Sequence, residues 1–401
     1  MGNQLTQQQL IDEIKAAREK HKTPDLSRKV LRNLDLSGRD LLGVKLQNSD
    51  LQGGNLHKAN LQGANLQKAK LQGANLMEAD LRGADLGEAN LEGANLERAN
   101  LLGARLPKAH LQKANLTGAN MERVELQKAT LKEAILTGVL MPGADLSEVD
   151  LRGLDLSTVN MESVKLDGAN LSGLQLPDFN LSGASLKGAN LENTQLSRAN
   201  LAGADFTETG SFFNAKAARW TGTDFSQARL QGARFAEVDL HQAQLAAADL
   251  SKAELSSANL AGVDLQTVNL QGANLAEANL KQANLQAAIL SQANLSGATL
   301  REAVLSTADL QQANLAEAEL KGATLEGANL AGTNLAGADL RQAQLTGCSL
   351  QGADLSRANL ADAILQDVDL QAACFKEATA NSGTQWPAGV EAGLIRGLKR
   401  T

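Results

Sequence analysis

Tyrosine is absent from this chain, and aromatic residues together make up 2% of its 401 positions. A core assembled from elements of differing shape draws on a varied set of side chains. Here Leu, Ala, Asn, Gly and Gln dominate, which argues against the two or three ordinary globular domains that this length would otherwise suggest. Cysteine is nearly absent too: Cys348 and Cys374 are the whole supply, which makes no disulfide framework and suits a reducing compartment. No run of 18 apolar residues occurs, and the first 30 positions lack the apolar stretch of a secretory signal. No membrane insertion is therefore expected, and a cytoplasmic location is the default. The start Met1-Gly2-Asn3-Gln4-Leu5-Thr6 fits the loose N-myristoylation pattern, but Thr6 has a better use as a helix cap.

Strong charge is also missing. The formal net charge is −7, with residues 1–30 and 376–401 each about +2 and the middle therefore −11. So dilute an acidity disfavours attraction to phosphate backbones, and no direct nucleic-acid binding is expected. Yet 43% of the residues are hydrophobic and they are evenly spaced, unlike a disordered chain.

What is present is a period. From Leu36 through Phe206 every fifth residue is Leu, Met or Phe, 35 positions without exception, and a second run of 31 goes from Phe225 to Phe375. Two residues before each centre sits a small residue, usually Ala, and between them usually Asn or Asp, as in Ala64-Asn65-Leu66 and Ala84-Asp85-Leu86. Five fits neither a helix nor a long alternating strand. It fits short extended segments joined by tight turns, with Leu and Ala facing an interior and Asn/Asp and the turn residues facing water. Gly two places after many centres, as in Leu71-Gln72-Gly73, suits a turn needing permissive dihedrals.

These A-(D/N)-L-x-x units resemble the pentapeptide-repeat family over roughly residues 31–375. The resemblance implies an all-β solenoid, a right-handed quadrilateral parallel β-helix with four repeats per coil, so that positions 20 apart stack. Met121, Met141 and Met161 would then form one interior ladder. About 17 coils at roughly 4.8 Å each would give a rod on the order of 80 Å long.

The expected organisation is a helical cap over 1–30, repeats over 31–206, an aromatic-rich interruption at 207–224, repeats over 225–375 and a non-repeat cap at 376–401. At the first end, Thr6-Gln7-Gln8-Gln9 reads as a capping box opening a helix that stops before Pro24. At the other, Trp386-Pro387 with Leu394, Ile395 and Leu398 would cover the last coil. Thr384-Gln385-Trp386-Pro387 is similar to a segment that follows the repeats in family members from cyanobacteria and other bacteria, which points to such a source.

At the interruption the centres Phe206 and Phe225 lie 19 apart rather than 20, as if one residue were missing. Six of the nine aromatic residues gather there, and Phe212, Phe213 and Trp220 are the candidate partner-binding residues, set against a reading in which the rings plug an irregular coil. A softer irregularity spans 139–179, where Val139, Val149, Leu154, Val159, Val164, Leu174 and Phe179 replace Ala. Outward Ile135 and Leu140 form a small apolar spot beside it.

Chemistry is hard to place. His21, His57, His110 and His241 are scattered, with no metal-ligand neighbour at a recognised spacing. Cys348 takes an inward small position, while Cys374 is outward with no histidine to act as base. Phosphate-binding and nucleophile-elbow motifs are lacking, and the carboxylates stud a convex surface. No catalytic residue, metal or cofactor is expected.

The leading functional expectation is a non-enzymatic rigid-rod scaffold for protein–protein interaction, as a monomer or end-to-end homodimer with an unknown protein partner. The alternative, implied by the resemblance, is a DNA-mimicking binder of DNA gyrase that protects or inhibits it. That reading needs an acidic stripe, yet the column Lys45, Asn65, Asp85, Arg105, Glu125, Asp145, Lys165, Ser185, Asp205 has mixed signs. A secreted effector or membrane-associated regulator is a third possibility within the family's range.

Overall fold

Five backbone amides per repeat need acceptors, and the repeat beginning at Asn55 shows where they go. The Asn55 amide donates to the Leu34 carbonyl (2.9 Å), Leu56 to Asn75 (2.7 Å), Lys58 to Met77 (3.0 Å), and Ala59 closes a turn onto Leu56 (3.0 Å). The fifth amide, that of His57, donates to Oδ1 of Asn55 (3.3 Å). Every amide is thus satisfied, four by main chain and one by the Asn side chain, which explains why Asn or Asp so often precedes the Leu.

The computed structural model describes residues 4–207, 218–390 and 395–400. It divides into two compact units, Met1–Thr194 and Gln195–Thr401. In both, single-residue parallel bridges join positions 20 apart, as in Asp35–Asn55–Asn75–Asn95–Asn115 and Asn274–Asn294–Asn314–Asn334–Asp354. Four five-residue repeats therefore make one coil. Leu and Ala fill the interior, with Leu56, Ala59, Leu61 and Ala64 all at 0% exposure, and Met121, Met141 and Met161 are buried in the expected ladder. The second turn residue is left-handed in nearly every repeat, whether glycine (Gly73, φ 64°) or not (Lys58, φ 55°). Only Gly takes that conformation without a Cβ penalty, so the non-Gly turns are held by the coil bonds on either side.

The first unit opens with helix α1, Gln7–Glu19, capped by Thr6 with the reciprocal Thr6/Gln9 box formed. The helix lies on the first coil, with Leu10 fully buried. Side chains take the place of the coil that would have preceded it. Gln7 accepts from the Asp35 amide (2.9 Å) and donates to its carbonyl, Gln4 Nε2 donates to Arg32 O (2.8 Å), and Arg18 donates to Leu42 O (2.6 Å). An exposed sheet edge is closed in this way. Coil pairing already includes Asp25 and Val30, whose partners are Lys45 and Asp50. The ladder thus starts before residue 31, because Leu26 and Leu31 are buried centres in phase with Leu36.

Two features differ from expectation. Gln195 pairs with Arg219, Asn200 with Asp224 and Asp205 with Arg229, each partner lying four positions beyond the regular step. The irregular coil therefore carries extra residues rather than lacking one, and residues 218–224 belong to the ladder. At the far end the period is modified, not abandoned. Ile364 pairs with Gln385, one position beyond the regular step, and strands β1 (Thr379–Ala380) and β2 (Lys399–Arg400) pair in parallel with the step of an ordinary coil.

Outward Asn side chains also form ladders. Asn75 Nδ2 donates to Asn55 Oδ1 (3.1 Å) while its own Oδ1 accepts from the Met77 amide (3.2 Å). Replacing Asn75 with Ala is expected to cost about 1–3 kcal/mol, since both partners lose a bond. Asn75→Asp keeps the acceptor for Met77 and should cost less. Urea titration of the two variants checks this, and equal losses would remove the turn bond from its central place.

Candidate functional site

The irregular coil of the second unit is filled by rings. Trp220 occupies a centre position at 0% exposure, with Phe206, Phe225 and Phe235 at 0–1%. Ring centroids lie 5.2 Å apart for Trp220–Phe225, 5.6 Å for Trp220–Phe235 and 6.0 Å for Phe206–Phe225. A partner-binding role for Trp220 is thereby corrected: its ring has no exposed face, because its place in the ladder points it inward, and Nε1 is buried with no hydrogen-bond partner. Phe212 and Phe213 lie outside the described residues. Trp386 is half-buried with its ring 5.9 Å from that of Phe375.

In the first unit, Leu154 and Leu174 are one coil apart, as are Val159 and Phe179, all in positions normally held by Ala. Around them the coils separate. The amides of Leu131, Glu133 and Leu136 do not reach the carbonyls of Asp150, Arg152 and Asp155, and Asp155 makes no bridge. Gly138 donates to the Thr158 hydroxyl (2.9 Å) in place of a carbonyl. A cleft of about 560 Å³ opens there, lined by Gln112, Thr130, Leu131, Lys132, Asp150 and Arg152 among others. Ile135 and Leu140, 50% and 52% exposed, lie on the outer surface of these coils. Across the stacked pairs themselves the amides of Leu156 and Met161 do not reach the carbonyls of Gln175 and Asn180, whereas Val164, which stacks on alanines, leaves the ladder intact.

Charged side chains pair with each other in register. Lys58 meets Glu78 (3.5 Å), Lys68 meets Glu88 (3.6 Å) and Lys128 meets Glu148 (3.2 Å). In the column tested for an acidic stripe, Arg105 bridges Asp85 (3.6 Å) and Glu125 (2.9 Å). The hydrogen-bonded guanidiniums of Arg82, Arg152 and Arg341 hold Asp80, Asp150 and Asp339 below the ordinary carboxylate range. What these pairs contribute to stability is present above that range and lost as pH falls through the lowered values.

The histidines stay apart, and among the described residues no group of three His, Cys, Asp or Glu side chains could hold a metal. No helix of the described residues is long and apolar enough to cross a membrane. Both cysteines are free, Cys348 buried and Cys374 exposed. Cys348 Sγ points to the Leu325 carbonyl (2.8 Å), just as Thr223 Oγ1 points to Leu196 (2.8 Å) and Thr384 Oγ1 to Leu360 (2.9 Å). It is the thiol version of an interior threonine, and burial pushes its pKa up to about 12.

Short parallel bridges stacked coil upon coil around a Leu and Ala interior define a β-helical repeat protein. The family model for pentapeptide repeats matches successive segments from 40–76 to 343–379, and the chain belongs to that family. A pentapeptide repeat protein of the Arabidopsis thaliana thylakoid lumen is 33% identical over 31% of this chain and 74% of its own, with a TM-score of 0.25. HetL, involved in heterocyst differentiation regulation in the cyanobacterium Nostoc sp. strain PCC 7120, is 25% identical over 77% of this chain and 96% of its own, with a TM-score of 0.17. A second pentapeptide repeat protein from Nostoc PCC 7120 is 36% identical over 27% of this chain and 84% of its own, with a TM-score of 0.16. A search of curated protein sequences found no match.

In the native protein a disulfide reagent at pH 8 is expected to titrate Cys374 alone, with Cys348 reacting only after denaturation, because so high a pKa leaves almost no thiolate. Two thiols titrating at once in the folded protein would contradict the burial of Cys348.

Proposed function

We propose that this protein is a non-enzymatic scaffold that binds other proteins, acting in a reducing cytoplasm. The observation carrying this reading is that so many polar side chains of the solenoid are committed to the fold itself. Asn and Asp oxygens satisfy turn amides, lysines and arginines pair with carboxylates in their own repeat or one coil away, and among the described residues no group of three His, Cys, Asp or Glu side chains gathers as a metal site. Such a surface suits recognition by shape and by its few departures from regularity. Phe212 and Phe213 remain the proposed contact residues at the interruption, and Trp220 acts with Phe206, Phe225 and Phe235 as a structural plug. Neutralisation of the Arg105 column speaks against DNA mimicry. So does the first unit's balance, 23 Lys and Arg against 24 Asp and Glu.

The test separates the two kinds of aromatic residue. Phe212→Ser with Phe213→Ser is expected to leave thermal unfolding nearly unchanged and to abolish capture of a partner retained by the native protein. Trp220→Ser should lower stability by about 3–5 kcal/mol, the cost of emptying an aromatic site in a core. Identical partners in native and Phe212/Phe213-substituted samples would sink the proposed contact, and retention of purified DNA gyrase by the native protein would favour mimicry instead.

A further inference from the structure

From Leu51 to Thr130 every amide that should bridge to the next or preceding coil does so. At the seam between 131–136 and 150–155 that sealing weakens on one face, where Thr130 still bridges Asp150 but the Leu131 and Glu133 amides are unbonded, and fails on the next, where Ile135 and Asp155 make no bridge to each other; on the other two it holds, with Leu126 reaching Asp145 (2.7 Å) and Met141 reaching Asn160 (3.0 Å). The interior shows the consequence. Ala94 and Ala114 are fully buried, but Ala134, in the same column, is 9% exposed, and Leu154, Val159 and Phe179 are each 7% exposed. At the cleft, Gln112 Oε1 is buried without a hydrogen-bond partner. A solenoid whose stability accumulates coil by coil is held least where consecutive bonds are missing.

We propose that this seam is an opening point built into the first unit. Its coils part reversibly on the side of Leu131 and Leu136, admitting water and small reagents to the interior while the coils before it stay closed. Leu154 with Leu174, and Val159 with Phe179, are the wedges: they prise the seam's second coil from the one after it, where the Leu156 and Met161 amides find no carbonyl, and so leave it loosely held against the first. Removing stacked bulk from those positions should therefore close it.

Two measurements test this. In the native protein, amide exchange at Leu131, Glu133 and Leu136 is expected to be at least about 100-fold faster than at Leu91, Gly93 and Leu96, since each of three missing bonds changes an opening equilibrium about fivefold. In a Cys348→Thr, Cys374→Ser background, a thiol introduced by Ala134→Cys should be alkylated faster than one introduced by Ala94→Cys by a similar factor. Its rate should be insensitive to low denaturant, as local opening requires. Adding Leu154→Ala, Val159→Ala, Leu174→Ala and Phe179→Ala should bring the Ala134→Cys rate down to that of Ala94→Cys. Equal exchange at the two sets of amides in the native protein overturns the opening point whether or not the variants fold. An Ala134→Cys rate unchanged by the four alanines overturns the wedges as its cause.

Discussion

The structure depends on one demand: a chain with almost no continuous strand must still find an acceptor for every buried amide. Each extended segment here is a single bridge long, so no segment is satisfied by its immediate neighbours in sequence. Main chain from the coils before and after, with the turn itself, supplies four of the five bonds, and the Asn or Asp side chain supplies the last, as Asn55 does for His57. From this follow the composition, the spacing and the scarcity of chemistry. A carboxamide engaged at its own turn and in a ladder, as Asn75 is, is not free to bind something else. Where the preceding coil is absent, Gln4 and the α1 residues Gln7 and Arg18 provide the same groups, so the demand also shapes the end of the solenoid.

Much of this is legible in the sequence because the demand repeats. Leu36 and its successors announce the interior, Thr6 and Gln9 announce the helix, and the methionines at 121, 141 and 161 announce the coil length. The break misleads for an identifiable reason. Counting centres as Leu, Met or Phe makes Phe225 the first of the second run, whereas Trp220, preceded by Ala218 and Arg219, is a centre in the same phase. Extending the period back to Trp220 shows that the irregular coil gains residues. The C-terminal pairing of β1 with β2 is hidden differently, because one added residue before Gln385 breaks the count while leaving the stacking intact.

The seam shows what a one-dimensional reading leaves out. The bulky residues over 139–179 look alike in sequence, but their effect depends on what stands one coil away. Val164 lies between Ala144 and Ala184 and is accommodated; Leu154 faces Leu174 in the next coil and is not. The information is present in the chain, yet it becomes visible only when the sequence is folded into columns.

Irregularity is therefore where individuality resides in such a molecule. A perfect repeat presents the same few groups on every coil, already paired, and offers a partner no particular place to bind. The extra residues after Phe206, the wedges at 154–179 and the exposed Ile135 and Leu140 each break that sameness, at a cost the surrounding regular coils absorb. The second unit adds another distinction, with 15 Lys and Arg against 21 Asp and Glu where the first is nearly balanced. A solenoid can carry such departures because each coil is held mainly by its two neighbours. A fault on one face leaves the others of the same coil bonded, as Met141 and Leu146 are bonded immediately beyond the seam. The repetition that makes one coil like the next thus also makes the chain tolerant of local exceptions.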